Sequence, residues 1–113
     1  MQYEYFYGAQ AEQFSFYRIP KALFTVPNFR ELSTDAKVLY GILLDRMSLS
    51  LKNQWLDAQN KVYIIFTVEE IMDALNCANQ KATRLMVELE KQAGLIERKR
   101  QGLGRPNLIY VKN

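Results

Sequence analysis

Apolar positions recur at helical spacing in three stretches of this chain. The longest runs through Ala36, Leu39, Tyr40, Ile42, Leu43, Leu44, Met47 and Leu51, three, four and seven apart as one helix face requires. Ser33 and Thr34 precede it as candidate N-caps, and Asp35 puts negative charge in the first turn. The pattern predicts a helix over residues 34–51, with a stripe wide enough to be the floor of a core. The second stretch places Val68, Ile71, Met72 and Leu75 inward, behind Thr67-Val68-Glu69-Glu70. That opening is a capping box, in which the threonine hydroxyl and the glutamate carboxylate each satisfy a free amide. Asn76 suits the left-handed residue that closes such a helix. In the third stretch Ala82, Leu85, Met86, Leu89 and Ala93 form one face of a helix that starts near Asn79 and stops at Gly94. A gap of about three residues between these two helices is the spacing of a helix-turn-helix.

Strand patterns fill the rest. Residues 62–66 are β-branched and aromatic and predict a strand, reached through a turn-rich connection over 55–61. Residues 95–101 and 107–111 predict two further strands, joined by Gly102-Leu103-Gly104-Arg105-Pro106 as a hairpin. Near the start, Pro20 is placed to open a helical turn over residues 21–24, and Pro27-Asn28 breaks the chain. Tyr3, Tyr5 and Tyr7 alternate, as do Phe14 and Phe16; with Phe6 and Tyr17 they make half of all the aromatics. The alternation predicts a β-ribbon with a loose loop over 8–13. An arm this aromatic needs a surface to cover, on its own domain or on a second copy. The expected fold class is α+β, a winged helix-turn-helix over residues 18–113 with an added N-terminal β-ribbon over 1–17.

Charge sharpens the picture. Residues 1–76 hold 7 Lys and Arg against 9 Asp and Glu, a net of −2, and residues 77–113 hold 8 against 3, a net of +5. A basic third on a slightly acidic body points to an anionic partner at the C-terminal end, although a solvated basic face would show the same asymmetry. The chain has no histidine, the commonest general base, and the single Cys77 lacks both an activating histidine and a second cysteine for metal binding. No glycine-rich phosphate loop opens a helix. An enzyme, a metal centre and a bound cofactor are therefore not expected. A lone cysteine fits a reducing cytoplasm, and no run approaches the ~18 apolar residues of a membrane span.

The remaining chemistry is that of DNA recognition. A helix-turn-helix presents the start of its second helix to base edges in the major groove, and there Asn79, Gln80, Lys81, Thr83 and Arg84 supply the donors and acceptors that read adenine and guanine. The hairpin adds Arg98, Lys99, Arg100 and Arg105 for phosphate or the minor groove. By strand alternation Arg98 and Arg100 share one face and Lys99 takes the other. Thr67 stands where a helix N-terminus could meet a phosphate. Each feature alone is weak; the order helix, turn, polar-headed helix, basic hairpin carries the expectation of double-stranded DNA as partner. The same scaffold serves transcription regulators, and a winged helix can also bind an acidic protein through its hairpin.

Several runs resemble one family. Phe16-Tyr17-Arg18-Ile19-Pro20-Lys21-Ala22-Leu23-Phe24 is similar to the opening of the RepA N-terminal domain of plasmid replication initiators. Leu32-Ser33-Thr34-Asp35-Ala36-Lys37-Val38-Leu39-Tyr40-Gly41 and Leu43-Leu44-Asp45-Arg46-Met47-Ser48-Leu49-Ser50 resemble its first long helix. Asn79-Gln80-Lys81-Ala82 and Gly102-Leu103-Gly104-Arg105-Pro106-Asn107-Leu108-Ile109-Tyr110-Val111 resemble its recognition helix and wing. The resemblance covers roughly residues 14–112. It implies a winged-helix initiator of theta-type replication in Gram-positive bacteria, carried on plasmids or integrated elements, that binds repeated sites in an origin. It also implies a homodimer, with Tyr3, Tyr5, Phe6, Tyr7, Phe14 and Phe16 as the candidate dimer arm. Chains of this kind continue into a second domain, so residues 18–113 look like a domain excised from a longer protein, and loading of host replication proteins would depend on the missing part.

Overall fold

The computed structural model describes residues 2–8 and 14–113. Among them the chain forms α1 (Ala22–Thr25), a 3-10 turn (Pro27–Phe29), α2 (Thr34–Lys52), α3 (Val68–Leu75) and α4 (Asn79–Val87), which runs on into a π-helical turn (Glu88–Gln92). Strands β1 (Ile96–Lys99) and β2 (Leu108–Val111) follow as an antiparallel pair. Their register sets Ile96 opposite Val111, Glu97 opposite Tyr110, Arg98 opposite Ile109 and Lys99 opposite Leu108.

α2 is the floor of the core, as its wide stripe requires. Leu39 and Leu43 are sealed on its inner side, and Ile71 of α3, Leu85 and Leu89 of the α4 segment, and Ile96 and Ile109 of the strand pair close over them. The caps that start these helices are local. The Ser33 hydroxyl accepts the Ala36 N–H at 3.1 Å. Thr67 and Glu70 form the full reciprocal capping box, and Asn76 closes α3 at φ 53°. A longer tie joins the two ends of the core. The N–H and hydroxyl of Ser33 donate to the Glu88 carboxylate at 2.8 and 2.9 Å, so the N-cap of α2 is held from the far end of α4.

Three expectations change. Residues 62–66 do not form a strand. Ile64 exchanges both backbone hydrogen bonds with Ile109 at 2.9 Å, whereas Tyr63 N–H turns to Trp55 and Val62 pairs with Leu56. The short segment is divided between two partners, and one bridged pair is what β2 retains of it. Pro20 lies outside α1 rather than opening it; the N-cap is Lys21, and the Pro20 carbonyl accepts the Leu23 N–H at 3.1 Å. The N-terminal β-ribbon is absent among the described residues: 2–8 and 14–17 carry no strand. Most of the loop expected at 8–13 lies outside the described residues. In place of a ladder, the Phe6 and Phe14 rings meet edge-to-face at 5.7 Å and Phe14 meets Phe16 at 6.2 Å. A two-stranded ribbon with no buried face is marginal on its own, and here the rings pack on one another while staying largely exposed.

The entering chain crosses α2 at Gly41. A Cβ there would stand 2.9 Å from both the Arg18 carbonyl oxygen and the Ile19 side chain. Gly41→Ala must push the crossing backbone off the helix. We expect a loss of ~1–3 kcal/mol of stability, as for other overpacked sites, read as a lower midpoint in urea with no change in slope.

Candidate nucleic-acid interface

α4 carries its side chains in three groups. Ala82, Leu85 and Met86 are buried. On one flank Lys81 and Glu88 face α2: the Lys81 ammonium lies 2.6 Å from the Asp35 carboxylate, and Glu88 holds Ser33. On the other flank Asn79 borders the cleft beside the hairpin, with the Thr83 hydroxyl 3.4 Å from the Asn79 side-chain oxygen. Gln80 and Arg84 stand exposed between the flanks. All five polar residues expected to read bases thus keep accessible side chains, and Lys81, its side chain 42% exposed, is paired with Asp35 on the flank toward α2.

The hairpin cations are also sorted. Ile96 points into the core, so strand alternation turns Arg98 to the same inner side. Its guanidinium donates to Glu90 through Nε at 2.9 Å and Nη2 at 2.7 Å, and its backbone N–H donates to the other carboxylate oxygen at 3.1 Å. Both side chains are mostly covered, at 26% and 16% exposure. Lys99, Arg100 and Arg105 stay exposed and have no ion pair among the described residues. The hairpin loop is braced: Gln101 Nε2 donates to the Pro106 carbonyl at 2.8 Å, and the Arg105 N–H turns back to Gly102 at 3.3 Å. Gly102 and Gly104 take φ values of 114° and 76°, which a side-chain-bearing residue enters only with strain.

These pieces enclose a cleft of about 380 Å³ between the start of α3, the start of α4 and the hairpin, lined by Thr67, Glu69, Asn79, Arg98, Arg105 and Asn107 among others. Thr67 is at its edge, but its hydroxyl and N–H are consumed by the capping box. The amides of Val68 and Glu69 are the ones the box does not use. A slightly larger cleft, about 420 Å³, opens between α2 and β2 around Leu44, Met47, Val62 and Val111. It gathers none of the residues that the sequence marks as candidates for contact with DNA. No helix of the described residues is long and apolar enough to cross a membrane.

Sequence reasoning missed Glu88 and Glu90. They are structural ties from the α4 segment to α2 and to β1. It also passed over Leu103, fully exposed between the two hairpin glycines; a leucine in so polar a loop was the available signal. The π-helical turn left no mark in the apolar spacing, although it sets where Glu90 stands. The Ala93 N–H reaches back five residues to Glu88.

The arrangement of a short helix, a tight turn, a second helix with an exposed polar start and a braced basic hairpin defines a winged helix-turn-helix domain. The chain belongs to the family of the replication initiator protein A (RepA) N-terminus, whose sequence pattern matches residues 15–113. A 41 kDa protein of Lactobacillus helveticus is 32% identical over 92 residues, which is 81% of this chain and 26% of its own length. The chain therefore spans about a quarter of that relative. Among solved structures, the N-terminal domain of a DNA-binding protein is similar at 39% identity and a TM-score of 0.81, over 99% of this chain and 85% of that one. A Rep–DNA complex contains a chain at 39% identity and a TM-score of 0.80, over 97% and 84%. The structure of an MDR initiator matches at 40% identity and 0.77, over 97% and 86%.

Burial pushes the Glu90 carboxyl upward, but the side-chain and backbone hydrogen bonds from Arg98 outweigh it and hold the group below its ordinary 4.5. A depressed carboxyl contributes stability that is complete above the unfolded value and is lost as pH falls through the folded one. Acid titration of the native chain should therefore show a loss of stability beginning below about pH 4.5. Glu90→Gln should flatten that part of the profile and be less stable at pH 7, by ~1–3 kcal/mol. Parallel denaturation of the two proteins at pH 7 and at successively lower pH checks both statements.

Proposed function

We propose that this chain is the duplex-binding domain of a plasmid or mobile-element replication initiator and that it binds repeated sites at the origin. The observation that carries the reading is the sorting of charge. Every acid of the C-terminal third contacts a partner within the domain, while Arg84, Lys99, Arg100 and Arg105 are left exposed with no ion pair among the described residues, Arg105 at the cleft between α3, α4 and the hairpin. Family membership and the likeness to a chain solved as a Rep–DNA complex support the same reading.

In this reading α4 enters the major groove by its N-terminal turns. Asn79 and Gln80 offer the amide pair that matches adenine, Arg84 the fork that matches guanine, and Thr83 a short hydroxyl. Lys99 and Arg100 meet phosphate along the hairpin, and Arg105 at its tip meets phosphate or a narrow minor groove. The α3 start offers its two unused amides to a backbone phosphate. Lys81, paired with Asp35 on the flank toward α2, keeps a partly exposed side chain beside the other polar residues of α4.

Arg84→Ala should cost ~1–3 kcal/mol and relax preference at one base position if its partner is a guanine. Lys99→Ala should weaken all sequences alike and reduce the salt slope by about one. Selection of bound duplexes from a random pool, followed by titration of the winner across salt, measures both. Binding by either variant that equals the parent in affinity, preference and slope would remove that residue from the interface.

The finer reading includes a homodimer built through the aromatic arm, with host replication proteins engaged by other parts of a longer initiator. Phe6, Phe14, Phe16 and Tyr17 are all more than half exposed, a large apolar surface for one terminus to leave to water. Removing residues 1–13 should lower the mass in sedimentation velocity from dimer toward monomer. An unchanged mass would assign the arm to its own domain.

A further inference from the structure

The wing cations can serve DNA only if the hairpin stands at a fixed angle to the helix that enters the groove. β1 and the α4 segment are joined by Ala93, Gly94 and Leu95; Gly94 takes φ 67°, and buried Leu95 donates to the Leu89 carbonyl and accepts from the Lys112 N–H, both at 2.8 Å. Across this junction the Glu90 carboxylate spans to Arg98. One oxygen receives both Nε and Nη2, and the other receives the backbone N–H of the same residue. The carboxylate thus grips the strand by main chain and side chain together. The π-helical turn places it, since Glu90 lies in the middle of that turn. Arg98 also borders the proposed DNA cleft, so its guanidinium has two possible anionic partners, Glu90 and a phosphate.

We infer that Glu90 and Arg98 are positioning residues for DNA binding: their pair sets the angle between recognition helix and wing, and Arg98 makes no phosphate contact of its own. The inference rests on the proposed duplex-binding function. Two of the five guanidinium N–H groups and the backbone N–H of Arg98 are committed to Glu90, so one residue of the strand is held through three hydrogen bonds. Charge-assisted donation to a mostly covered carboxylate is a strong form of hydrogen bond, and a phosphate that drew Arg98 away would leave Glu90 covered and unpaired. The neighbouring side chains Lys99 and Arg100 are exposed and need only the backbone direction that the pair supplies. The other groups around the wing base are consistent: Glu97 faces Lys112 at 3.6 Å, and no second acid competes for Arg98 among the described residues.

The two roles for Arg98 predict opposite signs. The full chain is titrated with the duplex that selection yields, over a range of salt, as parent, Glu90→Gln, Arg98→Lys, Arg98→Met and the Glu90→Gln/Arg98→Met double variant. If the pair positions the wing, Glu90→Gln weakens binding by about tenfold although it removes a negative charge from a DNA-binding face. Arg98→Met then weakens it by a similar factor, the two losses do not add in the double variant, and Arg98→Lys gives no rescue because an ammonium cannot reproduce the fork. The salt slope stays at the parent value throughout. If Arg98 is a phosphate ligand, Glu90→Gln tightens binding by freeing it, Arg98→Lys retains most of the affinity, and Arg98→Met lowers the slope by about one; any of these overturns the inference. Circular dichroism confirms that each variant is folded, and should Arg98→Met fail to fold, the sign of the Glu90→Gln effect decides alone. Absence of salt-dependent binding by the parent would instead sink the duplex-binding reading itself, so the two failures are distinguishable.

Discussion

The inner side of α4 decides what its outer side can offer. Ala82, Leu85, Met86 and Leu89 are at most 2% exposed, and each of the three large side chains gains ~1.5–3 kcal/mol by burial. Their sum is comparable to the whole stability of a domain, ~5–15 kcal/mol. The helix therefore cannot rotate about its axis to present another face without unfolding its surroundings. With that rotation fixed, Asn79, Gln80, Thr83 and Arg84 are on accessible surface and Lys81 is turned toward α2. The identity of the surface residues is a consequence of the apolar spacing beneath them.

Acidic residues then sort the basic ones. The C-terminal third carries three glutamates, and all three are used within the domain: Glu88 on Ser33, Glu90 on Arg98 and Glu97 on Lys112. Asp35 takes Lys81 from across the core. What was a diffuse excess of positive charge along the chain becomes a set of cations paired within the domain and a set left exposed on α4 and the hairpin. Exposed pairs such as Lys112 with Glu97 contribute little to stability. The mostly covered pair of Glu90 with Arg98 is different, because removing either member strands the other in a poorly solvated place.

Short-range features were readable in the sequence and long-range ones were not. The Thr67–Glu70 box, the left-handed Asn76 and the end of the third helix at Gly94 each depend on a few neighbouring residues, and the structure has all of them. The partners of Lys81, Glu88 and Arg98 depend on how three elements stack, which residue type and spacing do not encode. Alternation placed Arg98 and Arg100 together on a face but could not say that the face turns inward at Arg98, because Ile96 sets that phase only once the sheet is docked. Residues 62–66 have strand chemistry but found two partners instead of one. The alternating aromatics of the arm have strand period and no strand to pair with, so ring-to-ring contact replaced the ladder.

The wing gains from being rigid before any DNA arrives. Holding a long basic side chain against a phosphate costs ~0.5–1.5 kcal/mol in lost freedom per residue, and a mobile hairpin would add the cost of fixing its backbone, ~1–2 kcal/mol per residue. Exposed contacts to phosphate are screened and individually modest, so three of them could not carry that second cost over a loop of several residues. The hairpin is instead fixed internally, by the β1–β2 ladder, by Gln101 across the loop to Pro106 and by Tyr110, whose hydroxyl donates to Asp57 at 3.0 Å. Asp57 is itself held by the Lys61 and Gln59 amides of its own turn, so the outer side of β2 is anchored to the 55–63 connection while Arg98 anchors the inner side of β1. In the proposed docking, Lys99, Arg100 and Arg105 then have only their own side chains to order, and the ties on both sides of the hairpin would let weak, screened contacts suffice.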